Sequence, residues 1–334
     1  MDAKTEDFHQ GRFQEAIHKN SGKALQALEN VMNKTTLFKG VSLLCFAFLS
    51  LCFLVLINFY PKSFLLALNL GLIFLSVFTF LVLHFYFEMK KPEELELIRE
   101  GFVTSLQNEL PESLSANEFH LLLANSSYQF SSFLQPDDLE LDLPWKQKIW
   151  KKMSRAFNWK DLHLMRELLL LGSVKEHIAL IHKEPTDLEA HASLANAYMA
   201  FARLYTIADE KKKPFLKQQF YKKEKNREKF ANASEKAIEE LKILHHFSPK
   251  DPWVHAQLAN CYRDLERPLD EIQEYEAIFA LYPEDPEILF RLGSLYFQEG
   301  MNAKGLTTYA ALKSIDPERA GEMISLYHPF SLEK

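Results

Sequence analysis

The sequence predicts an all-α chain in two parts, an N-terminal helical hairpin that spans a membrane and an α-solenoid of stacked helix-turn-helix units. Three observations carry this: two long apolar runs parted by a two-residue turn, residues that recur at a fixed spacing, and a length of 334 residues. At roughly 100–200 residues per domain, that length accommodates two domains. With 47% hydrophobic residues the chain is too apolar for disorder, and three cysteines cannot staple a secreted scaffold. A formal net charge of -6 gives no bulk attraction for nucleic acid, and no nucleic-acid partner is expected.

Residues 1–37 form an N-terminal cytosolic segment in which Phe13, Ile17, Leu25 and Leu28 suggest a short amphipathic helix. The hairpin follows at 38–88. VSLLCFAFLSLCFLVLINFY (41–60) and SFLLALNLGLIFLSVFTFLVLHFYF (63–87) are each long enough, at about 1.5 Å per residue, to cross a hydrocarbon layer of about 30 Å. Between Gly40 and Phe87 the only formal charge is Lys62, and neither run carries the polar face of a soluble core helix. Pro61 and Lys62 leave room only for a turn, so the spans run antiparallel. Lys23, Lys34 and Lys39 precede the first span and Lys90, Lys91 and Arg99 follow the second. The Lys/Arg bias puts both termini on the cytoplasmic side of an integral, two-pass protein whose anchor is not cleaved. His84, without an intramembrane carboxylate to pair with, reads as a boundary residue rather than part of a transport path.

A helical linker region covers 89–160. Pro92 with Glu93 and Glu94 marks a helix start, with helices expected over 92–109 and 115–134, and QPDDLELDLP (135–144) reads as a linker. WKQKIWKKMSRAFNWK (145–160) is basic throughout and holds no acid. It suggests an amphipathic helix that lays Trp145, Lys148, Trp150, Lys151 and Lys152 on an anionic bilayer surface, or docks its apolar stripe on the first repeat.

The repeat domain occupies 161–334. Asp251, Pro252, Leu258, Tyr262, Tyr275 and Pro283 recur, each displaced by the same interval, as Asp285, Pro286, Leu292, Tyr296, Tyr309 and Pro317. Asp251 and Asp285 are N-caps, each followed by a proline whose missing N–H costs nothing in the first turn. Leu258 with Tyr262, and Leu292 with Tyr296, share a helix face. DLEAHASLANAY from Asp187 matches DPWVHAQLANCY from Asp251 at seven of twelve places, but the interval between them is nearly twice as long, so the first unit holds an insertion between its helices. The units are then 187–250 with its insertion, 251–284 and 285–318, with a C-terminal cap at 319–330 carrying Ala320, Met323, Ile324 and Tyr327. Leu168 to His182 reads as the second helix of a degenerate earlier unit.

These residues resemble the tetratricopeptide repeat (TPR) family, most closely over RLGSLYFQEGMNAKGLTTYAALKSIDP (291–317). The resemblance covers the greater part of the repeat domain and implies a stacked helical-pair fold whose first helices line a concave, peptide-binding face. By that resemblance the inward positions are Ala192, Asn196, Met199, Ala256, Asn260, Arg263, Phe290, Ser294 and Phe297. Asn196 and Asn260 would bracket an extended peptide backbone, or else only satisfy helix ends. Arg263 would meet an acidic group, and Phe290 and Phe297 would form an apolar pocket. Asn196 and Arg291 also match the two-lysine carboxylate clamp of some family members, but Ala192 and Glu287 stand where its lysines belong, so that clamp is disfavoured. Gly305 replaces the usual alanine and Glu271 occupies the matching place one unit earlier; both are expected to loosen helix packing.

No Gly-rich phosphate loop, HExxH, CxxC, GxSxG or kinase signature occurs, and no catalytic residue, cofactor or metal is expected. Cys261 reads as a structural thiol, His245 and His246 as helix-end residues. His191 and His255 read as packed or rim histidines, because no ligand falls at metal spacing beside them. Residues 203–230 hold ten Lys/Arg against four Asp/Glu, whereas 231–334 hold ten against eighteen. That basic insertion is read as a solvated extension of two helices, or as a contact for acidic lipid, protein or RNA. The resulting expectation is a non-enzymatic, membrane-anchored TPR protein of bacterial type that acts as a scaffold, with a protein or peptide in its groove and the lipid bilayer as partners. The alternatives are a secreted inclusion-membrane-type protein that recruits host factors and a membrane-associated secretion chaperone.

Overall fold

The computed structural model describes residues 3–60, 63–109, 115–134, 154, 158–206, 220 and 223–327, with side chains from residue 14 onward. Every regular element among them is an α-helix. They form two compact units, Met1–Glu176 and His177–Lys334.

The first unit is built on two long helices, α1 (Ala3–Phe59) and α2 (Phe64–Glu109). They run antiparallel, since Lys19 meets Glu109 at 3.6 Å and Lys39 meets Glu88 at 3.9 Å. At about 1.5 Å per residue their 57 and 46 residues reach ~85 and ~69 Å, more than twice a hydrocarbon layer. Each helix accordingly has two halves with opposite habits. From Leu37 to Met89 most of the large apolar side chains point outward, Leu44 at 72% and Phe64 at 79% exposure, while Phe38 meets Phe80 and Phe87 between the helices. Beyond those residues the same helices turn apolar side chains inward. Ile17, Leu28 and Met32 of α1 pack with Leu95, Phe102 and Leu106 of α2.

Two further helices close that core. α3 (Ala116–Phe133) begins with a reciprocal capping box: the Glu118 N–H donates to Ser115 Oγ (3.2 Å) and the Ser115 N–H to Glu118 Oε2 (2.8 Å). It contributes Leu123 and Phe130, whose ring lies 4.8 Å from that of Phe102. The N-terminal part of α4 (Trp159–Lys183) adds Leu162, Met165 and Leu169. Its start is pinned by polar groups. Asn158 Nδ2 donates to Thr36 Oγ1 (2.7 Å) and the Met32 carbonyl (3.2 Å), while Thr35 Oγ1 donates to Asn158 Oδ1 (3.1 Å). Lys91 sits 2.9 Å from Asp161 and 3.1 Å from Glu88, its side chain all but enclosed. Burial works against the Lys91 ammonium, yet the two carboxylates hold its pKa above the ordinary value. Burial, aided by the nearby Glu88 carboxylate, pushes the Asp161 carboxyl up against the pull of Lys91.

Two expectations need correction. The amphipathic N-terminal stretch is not a separate short helix but is continuous with the first apolar run. Pro92 does not start a helix; it lies inside α2. A proline there leaves the Glu88 carbonyl without its helical donor, which costs about 3 kcal/mol in a helix interior. That carbonyl lies where the outward apolar surface ends, so water can replace the lost bond, and the Lys91–Glu88 pair spans the same turn.

The second unit is a row of helical pairs: α5 (Leu188–Arg203) with α6 (Glu224–Phe247), α7 (Pro252–Asp264) with α8 (Pro268–Leu281), and α9 (Pro286–Gln298) with α10 (Asn302–Ile315). A cap, α11 (Pro317–Ile324), follows. The N-caps repeat as the sequence dictates. Asp187 Oδ1 accepts from the Glu189 N–H at 3.0 Å, Asp251 from Trp253 at 2.9 Å and Asp285 from Glu287 at 2.8 Å, and Asp316 accepts from Arg319 at 3.1 Å. Within the second and third pairs the chain reverses through a left-handed residue at equivalent positions, Glu266 (φ 56°) and Gly300 (φ 71°). The next N–H then returns to the tyrosine carbonyl, Arg267 to Tyr262 at 2.9 Å and Met301 to Tyr296 at 2.7 Å. The insertion of the first unit is shared between both helices and their connection, since α5 and α6 have 16 and 24 residues against 13 and 14 in α7 and α8.

Gly305 and Glu271 do not loosen this packing. A Cβ on Gly305 would lie 2.5 and 2.6 Å from Cε1 and Cδ1 of Phe297, so the glycine makes room for that ring. Glu271 is enclosed and accepts from Arg291 Nε (3.1 Å) and Nη2 (2.6 Å), tying α8 to α9 by a charge-assisted pair. Gly293 is tight in the same way, with the Met323 thioether of the cap where its Cβ would stand.

Candidate interaction face of the repeat array

The first helices α5, α7 and α9 each bury one stripe and leave another toward solvent. Leu194, Ala195 and Tyr198 are buried in α5, as are Leu258, Ala259 and Tyr262 in α7 and Leu292, Gly293 and Tyr296 in α9. This spacing leaves Ala192 and Asn196 on α5, and Ala256 and Asn260 on α7, half-buried beside the core. Asn260 Oδ1 accepts from Arg263 Nη2 at 2.8 Å, and the Arg263 guanidinium is exposed, 3.9 Å from Asp264. A carboxamide and a guanidinium thus stand together at the edge of the array.

Other expected groove residues lie elsewhere. Phe297 is 4% exposed and belongs to the core with Leu289, Leu312 and Met323, its ring 5.6 Å from Tyr327; Phe290 packs against the same cluster. The expected open apolar pocket is therefore filled by the protein's own cap. Met199 is buried, and Ser294 Oγ donates to the Phe290 carbonyl at 2.7 Å. Arg291 is engaged by Glu271. Trp145, Lys148, Trp150, Lys151 and Lys152 lie outside the described residues, as does most of the basic insertion.

Two recurrent polar devices fix the array, and the repeat signature announces neither. His191 Nδ1 lies 2.5 Å from Glu240 Oε2 and its Nε2 lies 3.0 Å from the Pro185 carbonyl. His255 repeats this with Glu274 (2.6 Å) and Pro249 (3.0 Å). Glu240 and Glu274 hold equivalent positions in successive units, and each histidine follows its N-cap aspartate by four, which is the signal that could have revealed the pairs. Burial opposes the imidazolium of His191, but the Glu240 carboxylate and the Pro185 carbonyl outweigh it and hold its pKa above the ordinary value. The second device is a cation over the repeated tyrosine: Lys236 over Tyr198 at 5.7 Å, Arg267 over Tyr262 at 5.0 Å and Lys304 over Tyr296 at 5.2 Å. A carboxylate of the preceding pair completes it in the second and third. Glu276 accepts from Lys304 (2.7 Å) and Tyr296 (2.6 Å), and these donors hold its pKa below the usual range. Arg267 likewise reaches Glu235 at 3.3 Å. Cys261 is a buried thiol whose pKa burial pushes up to about 12, unsuited to nucleophilic work.

No family model and no curated protein matches the chain. Among solved structures it is similar to TTC0263, a thermophilic TPR protein of Thermus thermophilus, at 17% identity over 63% of this chain and 98% of that one, with a TM-score of 0.29. It is also similar to the TPR domain of P58(IPK), at 12% identity over 91% and 96% of the two chains, with a TM-score of 0.23. At TM-scores this low the likeness adds nothing to the repeat geometry above.

Proposed function

We propose that this chain is a membrane-anchored, TPR-like scaffold that recruits a protein partner at the cytosolic membrane face. The observation that carries this reading is the joining, in one polypeptide, of an antiparallel helical pair with outward apolar side chains to a row of helical pairs with recurring caps and core positions. Outward leucine and phenylalanine over the C-terminal part of α1 and the N-terminal part of α2 are a surface that a bilayer would solvate, and the switch to inward packing near Lys39 and Lys91 fits the water boundary. Antiparallel helices bring the outer ends of both spans to the same side, and the Lys/Arg bias makes that side cytosolic.

Partner binding is assigned to the polar edge formed by Asn196, Asn260 and Arg263. A carboxamide at equivalent places in two successive units meets an extended backbone at repeating intervals, and the Arg263 guanidinium beside Asn260 favours a carboxylate in the bound segment. The Asn196→Ala/Asn260→Ala chain, compared with wild type by proximity labelling in the same membrane, is expected to lose its discrete partners while keeping its level and location. An unchanged partner set would reject the assignment.

A further inference from the structure

The imidazole of His191 bridges three elements of the first helical pair. It is rooted on α5, its Nδ1 lies 2.5 Å from the Glu240 carboxylate of α6, and its Nε2 lies 3.0 Å from the carbonyl of Pro185 in the turn that enters α5. Both partners accept hydrogen bonds and neither can donate. A neutral imidazole carries one N–H, so it serves one of them and turns a lone pair toward the other; only the doubly protonated ring donates to both. The ring is almost fully enclosed, and water cannot substitute for a missing partner. The charged groups around it are Glu240 across the pair and Asp187 of its own cap, whose carboxylate is occupied by the Glu189 and Ala190 N–H groups. No cation opposes the proton there among the described contacts.

The same construction stands in the second pair, where His255 meets Glu274 and the Pro249 carbonyl, with the His245 ring 5.0 Å away and Asp251 as its cap. It is missing from the third pair. Leu289 takes the place of the histidine, four positions after the N-cap and packed in the core, and Thr308 takes the place of the glutamate.

We propose that His191 is a proton latch: doubly protonated it fastens the α5 entry turn to α6, and its deprotonation releases that tie and loosens the first helical pair, while the third pair, built on leucine, does not respond. The sign follows from linkage. A histidine held more tightly protonated in the folded state gives stability that is complete below its unfolded pKa of about 6.5 and is lost as pH rises through the higher folded value.

The test uses the full chain in detergent micelles with ring-labelled histidine, followed by NMR from pH 5 to 9, the His191 signal assigned through His191→Gln. His191 is expected to titrate with a midpoint above about 6.5, and the isosteric Glu240→Gln change to move it down by at least about one pH unit, a tenfold change in proton affinity. Hydrogen exchange on the same samples at pH 6 and 8.5, corrected for intrinsic rates, is expected to show protection falling in the turn before α5 and constant in the turn before α9. If His191→Gln fails to fold, the Glu240→Gln shift and the exchange comparison decide alone. A midpoint at or below about 6.5, no effect of Glu240→Gln, or equal responses in the two turns would each overturn the proposal.

Discussion

Substituting Gly305 by alanine separates two opposite accounts of the third helical pair. If the glycine were a packing defect, alanine would fill it and add about 1 kcal/mol of helix preference in α10. In the structure the new methyl would stand 2.5 Å from Cε1 and 2.6 Å from Cδ1 of Phe297, a ring closed in by Leu289, Leu312 and Met323. Ordinary carbon contacts need about 3.5 Å, so the ring must retreat by roughly 1 Å in a filled core. Overpacking of that kind costs about 1–3 kcal/mol, leaving a net loss of about 1 kcal/mol after the helix gain. Hydrogen exchange on the full chain should therefore show α10 and cap amides about fivefold less protected in Gly305→Ala. Replacing Phe297 with leucine in the same chain removes ring atoms at the clash, so the double variant should be less destabilised than the two single changes added together. Unchanged or greater protection in Gly305→Ala would refute the reasoning.

Lys91→Met leaves the Asp161 carboxylate enclosed without its cation; a loss of about 3–5 kcal/mol is expected in the first unit, read as faster proteolysis there with the repeat array unaffected. Glu271→Ala strands the Arg291 guanidinium between α8 and α9, and exchange should accelerate in both helices, whereas Glu287→Ala at its exposed pair with Arg319 should change little. Glu266→Gly relieves a non-glycine residue held at φ 56° and should slow exchange in the α7–α8 turn by the equivalent of about 1 kcal/mol. As pH falls through the depressed pKa of Glu276, its bonds to Lys304 and Tyr296 weaken, so the contact between α8 and the third pair should loosen on acidification; Glu276→Gln should blunt that acid response.

The array was legible because its determinants are local and periodic. Asp251 and Asp285 cap as their sequence position requires, and the buried triplets around Tyr262 and Tyr296 follow from the recurrence of those positions. What escapes is what depends on a partner distant in the chain. Glu271 reads as a flaw until Arg291, on the next helix, is seen to answer it, and Gly305 reads as a gap until the Phe297 ring occupies it. His191 and His255 read only as packed or rim histidines because their glutamates sit on the second helices. Pro92 carries every mark of a helix start, yet the apolar faces on either side of it continue along one helix, and packing against α1 outweighs the lost hydrogen bond. The candidate face was half legible: Asn260 and Arg263 stand together, but the filling of the Phe297 site depends on the cap helix and on Gly305, and no spacing rule reveals it.

The account's central claim is that the array recognises the partner and the hairpin supplies the location. Exchanging residues 41–87 for an unrelated two-span hairpin of equal length, in the otherwise full chain, tests this directly by proximity labelling. The account predicts an unchanged set of discrete partners. Loss of those partners from a chain that still inserts and folds would contradict it and move recognition into the membrane segment.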